Sequence, residues 1–156
     1  MKLFRLIVIL CILFFITGSA RAVCTMSVTN VSFSTYDVFG TAPVDSDSGR
    51  VNISCTSDVN RATVTIGKST TSSSFNPRQM KLATGTDALN YNIYTTSART
   101  AIWGDGTGGT STVRADRPSG KPQPWTSVLT MYGRIPAGQN VSIGSYSDHI
   151  TVTVTP

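Results

Sequence analysis

Few residues of this chain are of types that could do chemistry: three cysteines, one histidine, an aspartate-rich turn and a glycine-rich loop. Cys11 lies inside an apolar amino-terminal run, which leaves Cys24 and Cys55 as an even pair. In an exported chain such a pair reads as a disulfide. Closing a loop of roughly 32 residues stabilises a fold by about 3–4 kcal/mol in the chain-entropy model. Two free thiols or a metal site are the alternatives. The metal reading lacks a third ligand near either cysteine, and His149 is far away in sequence.

The remaining motifs fail as catalytic or ligand-binding devices. A serine nucleophile needs a base beside it, yet the chain has a single His and no Gly-x-Ser-x-Gly. His149 follows Asp148 directly, and neighbours on a strand point to opposite faces, so they form no orienting pair unless the strand breaks there. Asp45-Ser46-Asp47-Ser48-Gly49 resembles the opening of a calcium loop. Arg50 and Thr56 occupy the sixth and twelfth places, where an EF-hand needs Gly and Glu. Gly104-Asp105-Gly106-Thr107-Gly108-Gly109 lacks the Gly-Lys-Ser/Thr ending of a phosphate loop. The expectation is no catalytic residue, no metal, no cofactor and no enzyme.

The elements that must position these residues begin after a leader. Lys2 and Arg5 precede an apolar run from Leu6 to Ile16, and Ala20-Arg21-Ala22 supplies small residues for cleavage. This is the plan of a secretory signal peptide over residues 1–22, with cleavage after Ala22. The run is too short for a membrane span, which needs about 20 apolar residues, and no second such run follows. The mature chain, residues 23–156, is expected to carry no membrane anchor. The leader holds three of the thirteen basic residues (Lys2, Arg5, Arg21) and none of the eight acids, so the mature net charge is +2 rather than +5. Without a block of Lys and Arg, nucleic acid is excluded as a partner.

Composition and periodicity then point to β structure. Glu is absent, while Ser, Thr, Gly and Val abound, a balance that favours strands over helix surfaces. Met26 and Val28 alternate with polar residues, and Val31 and Phe33 continue in the opposite phase, which predicts a bulge or kink near Asn30. The stretch from Gly40 to Gly49 reads as a loop. Val51, Ile53 and Cys55 alternate with Asn52 and Ser54, and Val64 with Ile66 makes a further strand. Met80 and Leu82, then Leu89, Tyr91 and Ile93, predict two more. The Gly- and Pro-rich segment 104–124 excludes regular structure over most of its length. Strands resume from Val128 to Ile135, briefly at Val141 and Ile143, and finally at Ile150, Val152 and Val154. Short strands between turn signals predict a single sandwich or barrel domain. Tyr146, in Gly144-Ser145-Tyr146-Ser147-Asp148, stands where sandwiches place a tyrosine that folds back to bond upstream backbone.

Several of these segments, in this order, resemble the spore coat protein U domain family, to which the subunits of archaic chaperone–usher pili also belong. The resemblance covers nearly the whole mature chain. It rests on Cys24, on Gly49-Arg50-Val51-Asn52-Ile53-Ser54-Cys55 and on Leu89-Asn90-Tyr91-Asn92-Ile93-Tyr94. It continues through Trp103-Gly104-Asp105-Gly106, Tyr132-Gly133-Arg134-Ile135-Pro136-Ala137-Gly138-Gln139 and Gly144-x-Tyr146-x-Asp148.

The resemblance implies an all-β, immunoglobulin-like sandwich with one disulfide that lacks its final strand. It implies a secreted structural or adhesive subunit of a surface pilus. Its partners would be a periplasmic chaperone, an usher and neighbouring subunits that donate the missing strand. Ile150, Val152 and Val154 are then the candidates for the edge of the acceptor groove. Only Val23 precedes Cys24 after the predicted cleavage, whereas polymerising subunits carry a donor segment there, so a minor or tip position is expected. The alternative is a self-sufficient extracellular or coat domain that binds a surface ligand.

Overall fold

Alternating side chains drive the architecture: on β2, Val51, Ile53 and Cys55 turn inward and are all but fully buried, while Asn52 and Ser54 turn outward. The computed structural model describes residues 23–120 and 124–156, so the predicted signal peptide lies outside the described residues. Nine strands follow in chain order. They are β1 (Cys24–Thr29), β2 (Val44–Cys55), β3 (Arg61–Ile66), β4 (Arg78–Leu82) and β5 (Ala88–Tyr94). Then come β6 (Val113–Asp116), β7 (Trp125–Ile135), β8 (Tyr146–Ser147) and β9 (Val152–Thr155). No helix occurs among the described residues.

The strands form two sheets whose apolar faces share one core. The larger sheet has the order β1-β2-β7-β5-β4-β8 and the smaller β6-β3-β9. Ile53, Met131 and Ile93 meet Val64, Ile66 and Ala115 between them. The chain is an all-β sandwich. The Cys24–Cys55 disulfide joins directly opposed residues of β1 and β2. Two tryptophans anchor the interior: the Trp103 indole N–H donates to the Val64 carbonyl at 2.9 Å and that of Trp125 to the Val59 carbonyl at 2.7 Å. Arg78 is fully buried, and its guanidinium donates to the carbonyls of Gly67 and Trp103 and to Asn92 Oδ1. Burial lowers its pKa, and the carbonyl cage supplies the acceptors a buried cation needs.

Three local expectations need correcting. The predicted kink near Asn30 is instead a strand end at Thr29, after which the chain crosses the larger sheet without pairing. The bulge lies on β2, between Ser46 and Gly49. The predicted loop from Gly40 to Gly49 gives way to strand from Val44 onward, because Arg134 of β7 clamps Asp45 through Nε and Nη2 at 2.7 and 2.8 Å. The described part of segment 104–124 is irregular over most of its length, as its glycines and prolines predict, and only Val113–Asp116 forms a strand, β6, by pairing with β3. The brief strand at Val141 and Ile143 is absent: Ile143 is fully exposed and that stretch is irregular.

Candidate functional site

Opposed residues of an antiparallel pair share a face. Met26 and Val28 of β1 lie opposite Ile53 and Val51, so all four point toward the interior. Yet Met26 and Val28 are 40% and 42% exposed, whereas Ile53 and Val51 are 2% and 0% exposed. Among the described residues the inward face of β1 is only partly covered: β9 approaches it without pairing, and Met26 and Val28 stay partly exposed. β1 is an edge strand of its sheet, and β9 is an edge strand of the other.

Between these two edges runs a cleft of about 350 Å³. One wall is Val28, Asn30 and Val31; the other is Ile150 and Val152; the floor is Met80, Tyr91, Ile93 and Met131. The floor residues are core residues, all 9% exposed or less. β9 pairs on one side with β3, in the register Ile66↔Val152 and Val64↔Val154. Among the described residues no strand pairs with its other side. Ile150, Val152 and Val154 are half-buried and pack against the core. Ile150 lies just before β9 rather than in it. An apolar trough flanked by an open strand edge can take up one extended segment: backbone groups add to the ladder and alternate side chains fill the trough.

The polar end of the cleft is formed by Tyr146 to His149, where the chain leaves β8 and has not yet entered β9. The strand does break at Asp148-His149. Asp148 nevertheless binds other groups: Oδ2 accepts the Tyr91 hydroxyl at 2.7 Å and Oδ1 the Thr70 hydroxyl at 3.0 Å. Burial, reinforced by Asp148, pushes the Tyr91 hydroxyl well above its ordinary pKa, so it remains a donor. His149 contributes its backbone carbonyl to the Thr70 N–H. The Tyr146 hydroxyl donates to the Ser142 carbonyl at 2.8 Å, tying the irregular stretch before β8 to itself. Among the described residues no group of three or more His, Cys, Asp or Glu could hold a metal ion, and no helix is long and apolar enough to cross a membrane.

Sequence reasoning names one wall of this cleft and misses the rest. Alternation identifies Met26 and Val28 as strand residues, but only the β1–β2 register shows that they turn inward and yet stay partly exposed. The floor residues read as ordinary core.

The family model for the Spore Coat Protein U domain matches residues 12–153. The chain belongs to this family. A curated relative, "Protein U" of Myxococcus xanthus, is 32% identical over 124 residues, covering 76% of this chain. The chain spans about three fifths, 61%, of that relative's length. Among solved structures, the fold is similar to a chain of the chaperone–tip adhesion subunit pre-assembly complex from archaic chaperone–usher Csu pili of Acinetobacter baumannii. The TM-score is 0.59 at 23% identity, over 86% of this chain and 40% of that one. This family member therefore shares its sandwich with a chain of a pilus pre-assembly complex.

Proposed function

We propose that this chain is an exported structural or adhesive subunit of a surface pilus, assembled when a second polypeptide lays a β-strand into the cleft between β1 and β9. The observation that carries the reading is the part-exposed inward face of β1, whose Val28 lines a cleft opposite the open edge of β9. The solved complex of a chaperone with a tip adhesion subunit, similar in fold, supports it. In this proposal the signal peptide of residues 1–22 directs export. A periplasmic chaperone first fills the cleft, an usher delivers the subunit, and a neighbouring subunit's strand replaces the chaperone's. Ile150, Val152 and Val154 form the receiving edge. In this reading the subunit occupies a minor or tip position in the fibre. It performs no catalysis.

Expression in the periplasm tests this. Alone, the chain is expected to aggregate or be degraded, and co-expression with a pilus chaperone should restore soluble protein. Equal yields of soluble protein with and without the chaperone would instead favour a self-sufficient coat domain. The name of the 32% identical relative, Protein U of a family described by the spore coat, gives that second reading its footing.

A further inference from the structure

The two walls of the cleft belong to different sheets, and between the edges of β1 and β9 no ladder hydrogen bonds fix their separation. A contact path nevertheless crosses the floor from one wall to the other. It starts in the segment after β1, where Val31 and Phe33 sit in a depression made by glycines of β2 and β7. A Cβ on Gly49 would lie 2.5 Å from Val31 Cγ2, and one on Gly133 would lie 2.6 Å from Phe33 Cζ. Neither position tolerates a side chain while those two residues stay in place.

From that seat the Phe33 ring meets the Tyr91 ring edge to face, with centroids 6.1 Å apart and planes at 72°. The Tyr91 hydroxyl spans the rest of the floor to Asp148 Oδ2 at 2.7 Å. Asp148 is held in turn by the Thr70 and Thr71 hydroxyls at 3.0 and 3.4 Å. It sits in the connection that leads into Ile150 and Val152, the opposite wall.

We propose that Phe33, Tyr91 and Asp148 form a brace that keeps the empty cleft at the width an incoming strand requires, and that Gly49 and Gly133 seat it. This rests on the reading of the cleft as a strand acceptor, and makes the trio positioning residues for strand uptake. An apolar trough with nothing in it gains by closing on itself. Each closed molecule must reopen before it can bind, so apparent affinity falls by the fraction that is open. A brace raises that fraction and removes part of the ordering needed on binding.

The test uses the full mature chain, co-expressed with a chaperone, stripped of it in denaturant and refolded at low concentration, and a fluorescently labelled nine-residue peptide alternating valine and threonine, with association followed by anisotropy. Tyr91→Phe removes one oxygen, keeps the ring on Phe33 and breaks the link to Asp148. Its association rate is expected to fall about tenfold, the scale of a lost hydrogen bond to a charged group, with a smaller change in dissociation rate. Phe33→Leu, which removes the ring and keeps the site apolar, should fall likewise, while Thr126→Ala on the outer face should bind as wild type does. Association of both brace variants within about twofold of wild type would overturn the proposal. So would thermal destabilisation of empty and filled protein alike with an unchanged association rate, which is the mark of ordinary packing. A wild-type chain that takes up no peptide would overturn the acceptor reading itself, and the brace with it.

Discussion

Met26 and Ile53 are opposed residues on one face of one sheet, yet Met26 is 40% exposed and Ile53 only 2%. The contrast extends along both strands. On the β2–β7 side Val51, Ile53 and Cys55 are sealed, as are Trp125 opposite Cys55 and Met131 and Ile135 further along β7. On the β1–β9 side Val28 remains 42% exposed and Ile150, Val152 and Val154 are only half-buried. Both regions carry the same alternation of apolar and polar residues. Period-two patterning therefore states which face a strand would bury, and says nothing of whether a covering strand is present. In the proposed reading, the more exposed side of the sandwich is where a partner's strand would pack.

The difference can be broken by truncation on each side. Ile53→Ala removes a fully packed side chain and is expected to destabilise the chain by about 2–5 kcal/mol. Val28→Ala, on the same face but uncovered, should cost less than about 1 kcal/mol in the empty protein. Urea unfolding of the two variants measures both. With a strand bound in the cleft, the Val28→Ala penalty should grow toward that of a buried valine, while the Ile53→Ala penalty stays as it was. Equal penalties in the empty protein would show that β1 is already covered.

A smaller effect comes from the Asp45–Arg134 clamp on the sealed side. The hydrogen bond from Arg134 holds the Asp45 carboxyl below its ordinary pKa. A carboxylate depressed in the folded state contributes stability that is complete above the ordinary carboxylate range. That contribution is lost as the pH falls through the lowered value. Asp45→Asn should therefore flatten part of the acid limb of the stability profile, below about pH 4, and leave strand uptake at neutral pH unchanged. The effect is modest, because both partners are about one-third exposed, with side-chain exposures of 34% and 37%.

Much of the fold is legible in the residues themselves, and the failures share a cause. Val51, Ile53 and Cys55 announce their strand because each inward position meets core. Val113–Asp116 does not, since glycines and prolines surround it and only its distant pairing with Arg61–Val64 makes it a strand. Val141 and Ile143 mimic alternation over two positions and find no partner, so Ile143 ends in solvent. Gly49 reads as the end of a loop, but it marks a bulge whose missing side chain admits Val31. At the candidate site Ile150, Val152 and Val154 are legible by alternation. The other wall and the floor depend on how two sheet edges meet in space, which no local pattern records.

On the proposed reading, a strand from outside completes the core of this sandwich. Thermal unfolding of a fusion that carries an alternating valine–threonine segment after Pro156 through a flexible Gly/Ser linker, beside a scrambled control of the same composition, reads this out. Three buried apolar side chains at about 1.5–3 kcal/mol each should raise the midpoint by roughly 10 °C or more over the control. Identical midpoints for the alternating and scrambled fusions would contradict it.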